Sequence, residues 1–198
     1  MNTNEQRLKD TRPAHERAHV MGCVASAEEV TTVELDIKDA GESSADGWKA
    51  YVDTQLLGGG CGGGMIVGLK EELWAKSDNL GLKSYKTTLL DDEGNSKPVD
   101  VNEVRDLVAF AKTGVKPDAG LRINGTKYMV IRSEQGGKDE LPFLCYARHE
   151  KVGVCVVMVN SCIVIGSYDE GDAKAPTFAG ACNTAVERLA RYLLDNGF

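Results

Sequence analysis

Asn124 and Gly125 stand between two runs of residues in which apolar and polar side chains alternate, 121–123 and 126–131. An Asn-Gly pair in this setting is typical of a two-residue type I′ turn, so the sequence predicts an antiparallel hairpin here. Further strands are predicted over 143–148, 152–159 and 163–168, and the links between them are too short for a helical crossover. We therefore expect an α+β fold with a central antiparallel sheet flanked by helices.

Apolar residues at helical spacing predict three helices, over 47–57, 102–112 and 178–196. Asp46 is the predicted N-cap of the first helix, and Gly197 is the predicted stop of the third. Between the first two helices, the sequence predicts a buried strand, its hairpin partner and an acidic loop over 65–69, 73–77 and 90–100.

The composition changes near residue 47. Residues 1–46 contain no Phe, Trp or Tyr, and they carry ten Asp and Glu against five Lys and Arg. Such a segment is too poor in apolar groups to build a core, so we expect an acidic, disordered extension over 1–46 and a folded domain over 47–198. Residues 30–37 alternate like a strand, which leaves open that part of the extension pairs with the edge of the domain.

The overall composition excludes several classes of protein. The formal net charge of -7 argues against a nucleic-acid partner, which requires a basic face. No apolar run approaches the roughly 20 residues that span a bilayer, and the polar start lacks the apolar segment of a secretory signal. Six cysteines without a CxxC pair are expected to be reduced thiols, so we expect a cytoplasmic protein.

One motif suggests catalysis but lacks the context for it. His15, Glu16 and His19 match HExxH, which on a helix could hold zinc. The motif lies in the polar extension without apolar flanks, and the remaining histidine, His149, sits between two charged residues. We therefore expect that the protein is not an enzyme and that it binds no metal and no cofactor.

A second motif concerns the membrane. Residues 21–26 match the M-G-x-x-x-[ST] pattern of N-myristoylation, and Cys23 beside Gly22 is available for palmitoylation. Two acyl chains would give stable peripheral membrane association. Gly22 is internal in this chain, so acylation would require initiation or cleavage at Met21.

Five segments, in order from residue 48 to residue 198, resemble the profilin family. The first segment reads W-x-x-Y-V-D-x-x-L and the third reads G-x-K-Y-x-V-I-R; the five occupy 48–57, 73–77, 125–132, 163–170 and 182–198. The acidic stretch 90–100 and residues 145–148 look closest to profilins of the apicomplexan type. The resemblance implies a profilin-like sheet with the N-terminal and C-terminal helices packed side by side on one face.

The resemblance also implies binding of proline-rich segments in partners such as formin-like elongation factors. A polyproline II helix has no internal hydrogen bonds, so its receptor is a rigid aromatic groove with donors for the free carbonyls. The expected groove residues are Trp48, Tyr51, Trp74, Tyr192 and Phe198. An aromatic stripe on a helix is more often core, but Val52, Leu56, Leu189 and Leu193 already form the inward stripes.

Monomeric actin is the second partner that the resemblance implies, and with it a role in regulating actin polymerisation. The expected contacts are Lys127, Arg132, Arg148 and Asn183. The lysine and the two arginines suit an acidic partner surface. Phosphoinositide lipids are a weaker expectation, because the chain has no cluster of four basic residues. The alternative is a membrane-tethered adaptor that keeps the proline groove and binds little or no actin.

Overall fold

The computed structural model describes residues 33–34, 42–90, 94–136 and 140–198. The helices are α1 (Glu42–Tyr51), which continues as a π-helical segment (Val52–Leu57), α2 (Glu103–Thr113) and α3 (Ala179–Asp195). The strands are β1 (Val33–Glu34), β2 (Gly63–Gly68), β3 (Leu73–Lys76), β4 (Lys83–Leu90), β5 (Ser96–Asn102), β6 (Leu121–Ile123), β7 (Thr126–Gln135), β8 (Phe143–His149), β9 (Val152–Met158) and β10 (Cys162–Asp169). The predicted α+β class is confirmed.

Seven strands form one antiparallel sheet in the order β3-β2-β10-β9-β8-β7-β6. The turn between β6 and β7 has positive φ at both central residues, 56° at Asn124 and 83° at Gly125. This is the backbone of the type I′ turn that the Asn-Gly pair predicts. The hairpins predicted for the sheet are therefore confirmed.

Both faces of the central strands are covered. One face packs against α2, whose residues Leu107 and Phe110 join a core that includes Phe143 and Ile165 of the sheet. The opposite face packs against the π-helical segment and α3. Because β2, β9 and β10 are buried on both sides, they read as nearly continuous apolar runs.

The two terminal helices lie on the same face of the sheet. The helix α1 packs on β3, the π-helical segment packs on β2, and α3 packs on β9 and β10. The helix α3 begins after Phe178 and ends before Gly197, which has a left-handed φ of 85°. The side-by-side arrangement that the family resemblance implies is therefore present.

Two details differ from the sequence-based expectations. The first helix begins at Glu42, so Asp46 lies within the helix and is not its N-cap. The acidic stretch 90–100, expected to be a loop, contains most of β5, which pairs with β4 to form a long hairpin. This hairpin forms a second, three-stranded sheet with β1, in which Val33 and Glu34 pair with Ser84 and Lys83.

Several predictions fall on residues outside the described ranges. The HExxH motif at His15–His19 and the acylation candidates Gly22 and Cys23 belong to this group. Among the helices that the structure describes, none has the length and apolar character needed to cross a bilayer.

Candidate functional site

A cluster of five aromatic side chains lies between the first helix and the end of α3. Its members come from α1, β3 and the C-terminal segment, and we call them the aromatic groove: Trp48, Tyr51, Trp74, Tyr192 and Phe198. The Trp48 ring is central, with centroid distances of 4.7 Å to Trp74, 5.1 Å to Phe198 and 5.7 Å to Tyr51. The rings of Tyr51 and Tyr192 lie 5.9 Å apart. The structure thus brings together all five residues predicted from the sequence.

The aromatic groove faces solvent. Tyr192 is 49% exposed and Phe198 is 38% exposed, while the three rings from α1 and β3 are half-buried. The residues of the inward stripes, such as Leu56 and Leu189, are buried beneath them. The rings are therefore held by a packed core on one side and remain open to a ligand on the other.

Two polar contacts order the rings of the groove. The hydroxyl of Tyr51 donates to that of Tyr192 over 3.4 Å, and this hydrogen bond, with a smaller effect of burial, raises the pKa of Tyr51. The indole N–H of Trp74 donates to Oε1 of Glu72 over 3.2 Å. Glu72 was not among the residues predicted from the sequence. Its position two residues before Trp74 in an extended segment is the signal that could have found it, because such residues share a face.

The last residue of the groove is fixed by backbone hydrogen bonds. The carbonyl of Phe198 accepts from the N–H of Asn160 over 3.1 Å, and the N–H of Phe198 donates to the carbonyl of Leu193 over 3.0 Å. The second bond closes the end of α3 around Gly197. The edge-on contact of Phe198 with Trp48 therefore rests on an ordered chain end.

A second set of predicted residues shares one face of β7 and β8. Cross-strand pairing sets Met129 opposite Arg148 and Arg132 opposite Tyr146, with a bulge at Ile131 between them. In a regular ladder Ile131 would pair with Tyr146, and Arg132 would face the other side of the sheet. Lys127 lies two residues before Met129, so Lys127, Arg132 and Arg148 share a face, which we call the basic face.

The arginines of the basic face are paired on the surface. Arg132 forms an ion pair with Glu134 at 2.7 Å, which raises its pKa, and Arg148 forms one with Glu170 at 2.8 Å. Two apolar side chains, Met129 and Ile131, stand among these charges and are 71% and 61% exposed. The basic face thus combines charge with exposed apolar surface.

The helix α3 borders both surfaces. The hydroxyl of Tyr146 on β8 donates to Glu187 of α3, and burial followed by this carboxylate raises the pKa of Tyr146. Asn183 lies one turn before Glu187, on the same side of the helix, and its Oδ1 is buried without a partner among the described residues. Asn183 and Tyr192 are nine residues apart, about two and a half turns, so they lie on opposite flanks of α3.

An antiparallel sheet with both terminal helices on one face and exposed rings between them is the profilin fold. Solved structures share it: profilin from Schizosaccharomyces pombe is 28% identical with a TM-score of 0.54, and the match covers 76% of this chain and 99% of that one. Mouse profilin IIa, solved in complex with a double repeat from the FH1 domain of mDia1, is 20% identical with a TM-score of 0.51 over 77% and 99% of the two chains. Because only 20% of the residues are identical, the likeness to mouse profilin IIa shows the fold alone.

The chain belongs to the profilin family. The family model described as Profilin matches residues 46–198. Profilin-P from Physarum polycephalum is 33% identical over 153 residues, which cover 76% of this chain and 98% of that protein. Profilins are actin-binding regulators and are not enzymes.

Proposed function

We propose that this protein binds actin monomers and proline-rich peptides on separate surfaces and thereby regulates actin polymerisation in the cytoplasm. The observation that carries the proposal is the aromatic groove, in which rings from both ends of the domain contact one another and remain open to solvent. Family membership supports the same reading. No bond is made or broken in this activity.

The aromatic groove suits a polyproline II helix. Such a helix presents flat rings and unpaired carbonyls, so it gains from stacking on aromatic faces and from hydrogen bonds at their edges. The indole of Trp48 and the hydroxyl of Tyr192, which accepts from Tyr51, are available as donors. Because the rings already contact one another before a peptide arrives, little conformational entropy is lost on binding.

The basic face suits actin. The basic face lies toward the sheet edge that is opposite to the groove, and it comprises Lys127, Arg132 and Arg148. Asn183 lies on the adjoining flank of α3. Charge complementarity with an acidic partner raises the association rate and fixes the orientation of the two proteins. The exposed side chains of Met129 and Ile131 add apolar area at the centre of this surface.

The two surfaces lie on opposite flanks of α3, so a peptide and an actin monomer need not compete for space. We infer that the protein holds a monomer while it is recruited by a proline-rich partner, such as a formin-like elongation factor. Delivery of monomers to the growing filament end follows from this arrangement.

The experiment uses two single variants and two ligands. Trp48→Ala is expected to abolish capture on polyproline beads while sparing binding of actin monomers, because it removes the central ring. Arg132→Glu is expected to do the reverse, because it inverts a charge on the basic face. Binding of both ligands by both variants overturns the assignment of the surfaces. A wild-type protein that binds proline and ignores actin monomers supports the adaptor alternative.

A further inference from the structure

The carboxylate of Glu72 lies at the Trp74 end of the aromatic groove, and one of its two oxygens has no role in holding the rings. Glu72 accepts the indole N–H of Trp74 through Oε1. Its other oxygen, Oε2, has no exposed surface and no hydrogen-bond partner among the residues that the structure describes. A buried acceptor that lacks a donor is unfavourable and rare in folded proteins.

The backbone around Glu72 is shaped to hold this carboxylate beside the ring. Glu71 adopts a left-handed φ of 73°, which turns the chain sharply between β2 and β3. Gly68 lies directly under the carboxylate: a Cβ at this position would stand 2.1 Å from Oε1 of Glu72 and 2.7 Å from Nε1 of Trp74. Only glycine allows the carboxylate and the indole to approach the strand in this way.

The charge of Glu72 is not balanced by a neighbouring cation. Among the ion pairs that the described residues form, none includes Glu72. Lys76 lies on the same side of β3 as Glu72, and its ammonium lies near Gly81. The Trp74 end of the groove therefore carries a carboxylate that forms no ion pair among the described residues.

We propose that Glu72 makes the aromatic groove selective for proline-rich segments that carry a lysine or arginine next to the proline tract. The proposal deepens, and rests on, the proposed peptide-binding function. A lysine or arginine of the peptide that reaches the Trp74 end supplies a positive charge opposite the carboxylate and an N–H donor for Oε2 of Glu72. Glu72 as a whole is only partly buried, so part of its side chain lies at the surface where a peptide cation can approach it.

The test compares capped peptides that differ in one residue. Acetylation and amidation remove the terminal charges, and the peptides are a neutral proline decamer and the same decamer with a Lys or a Glu at either end. The wild-type protein is expected to bind one of the Lys peptides about twofold to fivefold more tightly than its Glu counterpart at low ionic strength. The ratio of Lys-peptide to Glu-peptide affinity should shrink as the salt concentration is raised from about 0.02 M to about 0.5 M.

Two matched variants identify the residue responsible. Glu72→Gln keeps an oxygen acceptor for the Trp74 indole and removes the charge, so the ratio of Lys-peptide to Glu-peptide affinity is expected to fall to about one. Glu71→Gln removes a charge from the exposed neighbour and is expected to keep the ratio.

Two results overturn the proposal. One is a wild-type ratio of one, and the other is a ratio in Glu72→Gln that stays at the wild-type value, including the case in which the affinities for all the peptides fall together. Failure of the wild-type protein to bind the neutral decamer overturns the proposed peptide-binding function instead.

Discussion

The phenolic oxygens of Tyr51 and Tyr192 lie 3.4 Å apart, although 141 positions separate the two residues in the chain. Tyr51 ends α1 and Tyr192 belongs to the last turns of α3. The contact exists because both terminal helices lie on the same face of the sheet. The aromatic groove is therefore a tertiary feature that depends on the complete fold.

Removal of either hydroxyl should weaken peptide binding without loss of the fold. For Tyr51→Phe and for Tyr192→Phe we expect affinity for a proline decamer to fall about threefold to tenfold. Tyr192→Phe loses a donor for a peptide carbonyl, and Tyr51→Phe loses the hydrogen bond that orients the Tyr192 hydroxyl. The chain has two tryptophans, Trp48 and Trp74, and both lie in the groove, so a fluorescence titration measures this directly.

The matched control is Tyr85→Phe, which removes a hydroxyl that hydrogen-bonds Glu103 and Arg122 on another part of the molecule. It should leave peptide affinity unchanged. Binding at wild-type affinity by both groove variants would show that neither hydroxyl contacts the peptide.

A tyrosine in place of Phe198 should tighten peptide binding. The ring of Phe198 contacts Trp48 edge-on and is 38% exposed, so Phe198→Tyr adds a donor at the open side of the groove. We expect affinity for a proline decamer to rise about twofold to fivefold. Phe178→Tyr, at the opposite end of α3 and also exposed, is the control and should have no effect. Equal or weaker binding by Phe198→Tyr would mean that peptide carbonyls do not reach this end.

Local signals were sufficient for most of the fold. The Asn-Gly turn, the apolar runs of β9 and β10 and the stripe of α3 each specify an element within a few residues of its observed bounds. These elements bury apolar residues in a regular pattern, and such a pattern can be recognised in the sequence. The meeting of the five rings was expected from the family resemblance, because spacing alone does not show which distant elements adjoin.

The β4–β5 hairpin was missed for a physical reason. Six of the seven residues of β5 are not buried, so the strand shows no apolar alternation, and it carries Pro98 and two charged residues. Its stability comes from the pairing with β4 and from contacts at its base, which are tertiary. The contact of Glu72 with Trp74 has only a weak sequence signal, the spacing of two residues in an extended segment, which many pairs share without a contact.

The cysteines of the sheet should be unreactive in the folded protein. Burial raises the pKa of Cys145 to about 12 and that of Cys162 to about 12. At pH 8 fewer than about one in ten thousand of either thiol is then ionised, and the thiolate is the reactive form. We expect no carboxamidomethylation of these two residues when iodoacetamide is added to the native protein and the digest is mapped by mass spectrometry.

The control for this measurement is the same reaction in guanidinium chloride, where both thiols should be modified to completion. Rapid modification under native conditions would mean that the sheet opens far more readily than its burial implies.

Glu103 should be a main source of stability for the base of the β4–β5 hairpin. Its carboxylate is 1% exposed and accepts from the N–H groups of Lys83 and Gly125 at 2.9 and 2.7 Å and from the hydroxyl of Tyr85 at 3.3 Å. In Glu103→Gln the amide nitrogen replaces one of these acceptors and faces a donor. We expect the free energy of unfolding at pH 7 to fall by about 2–3 kcal/mol, measured by urea denaturation. Glu134→Gln, in an exposed ion pair, should change it by less than about 1 kcal/mol.

The effect of Glu103→Gln on the free energy of unfolding should depend on pH. Burial raises the pKa of Glu103 above its ordinary value of 4.5, although its hydrogen bonds with Lys83 and Gly125 act in the opposite direction. The folded state therefore binds this proton more tightly than the unfolded state, so the contribution of the carboxyl group is fully present below pH 4.5 and declines as the pH rises through the folded pKa. The difference in unfolding free energy between the wild-type protein and Glu103→Gln should accordingly grow as the pH is lowered toward 4.5, while the background from other groups cancels. A difference that shrinks on acidification would mean that the hydrogen bonds outweigh the burial and hold the pKa of Glu103 below its ordinary value.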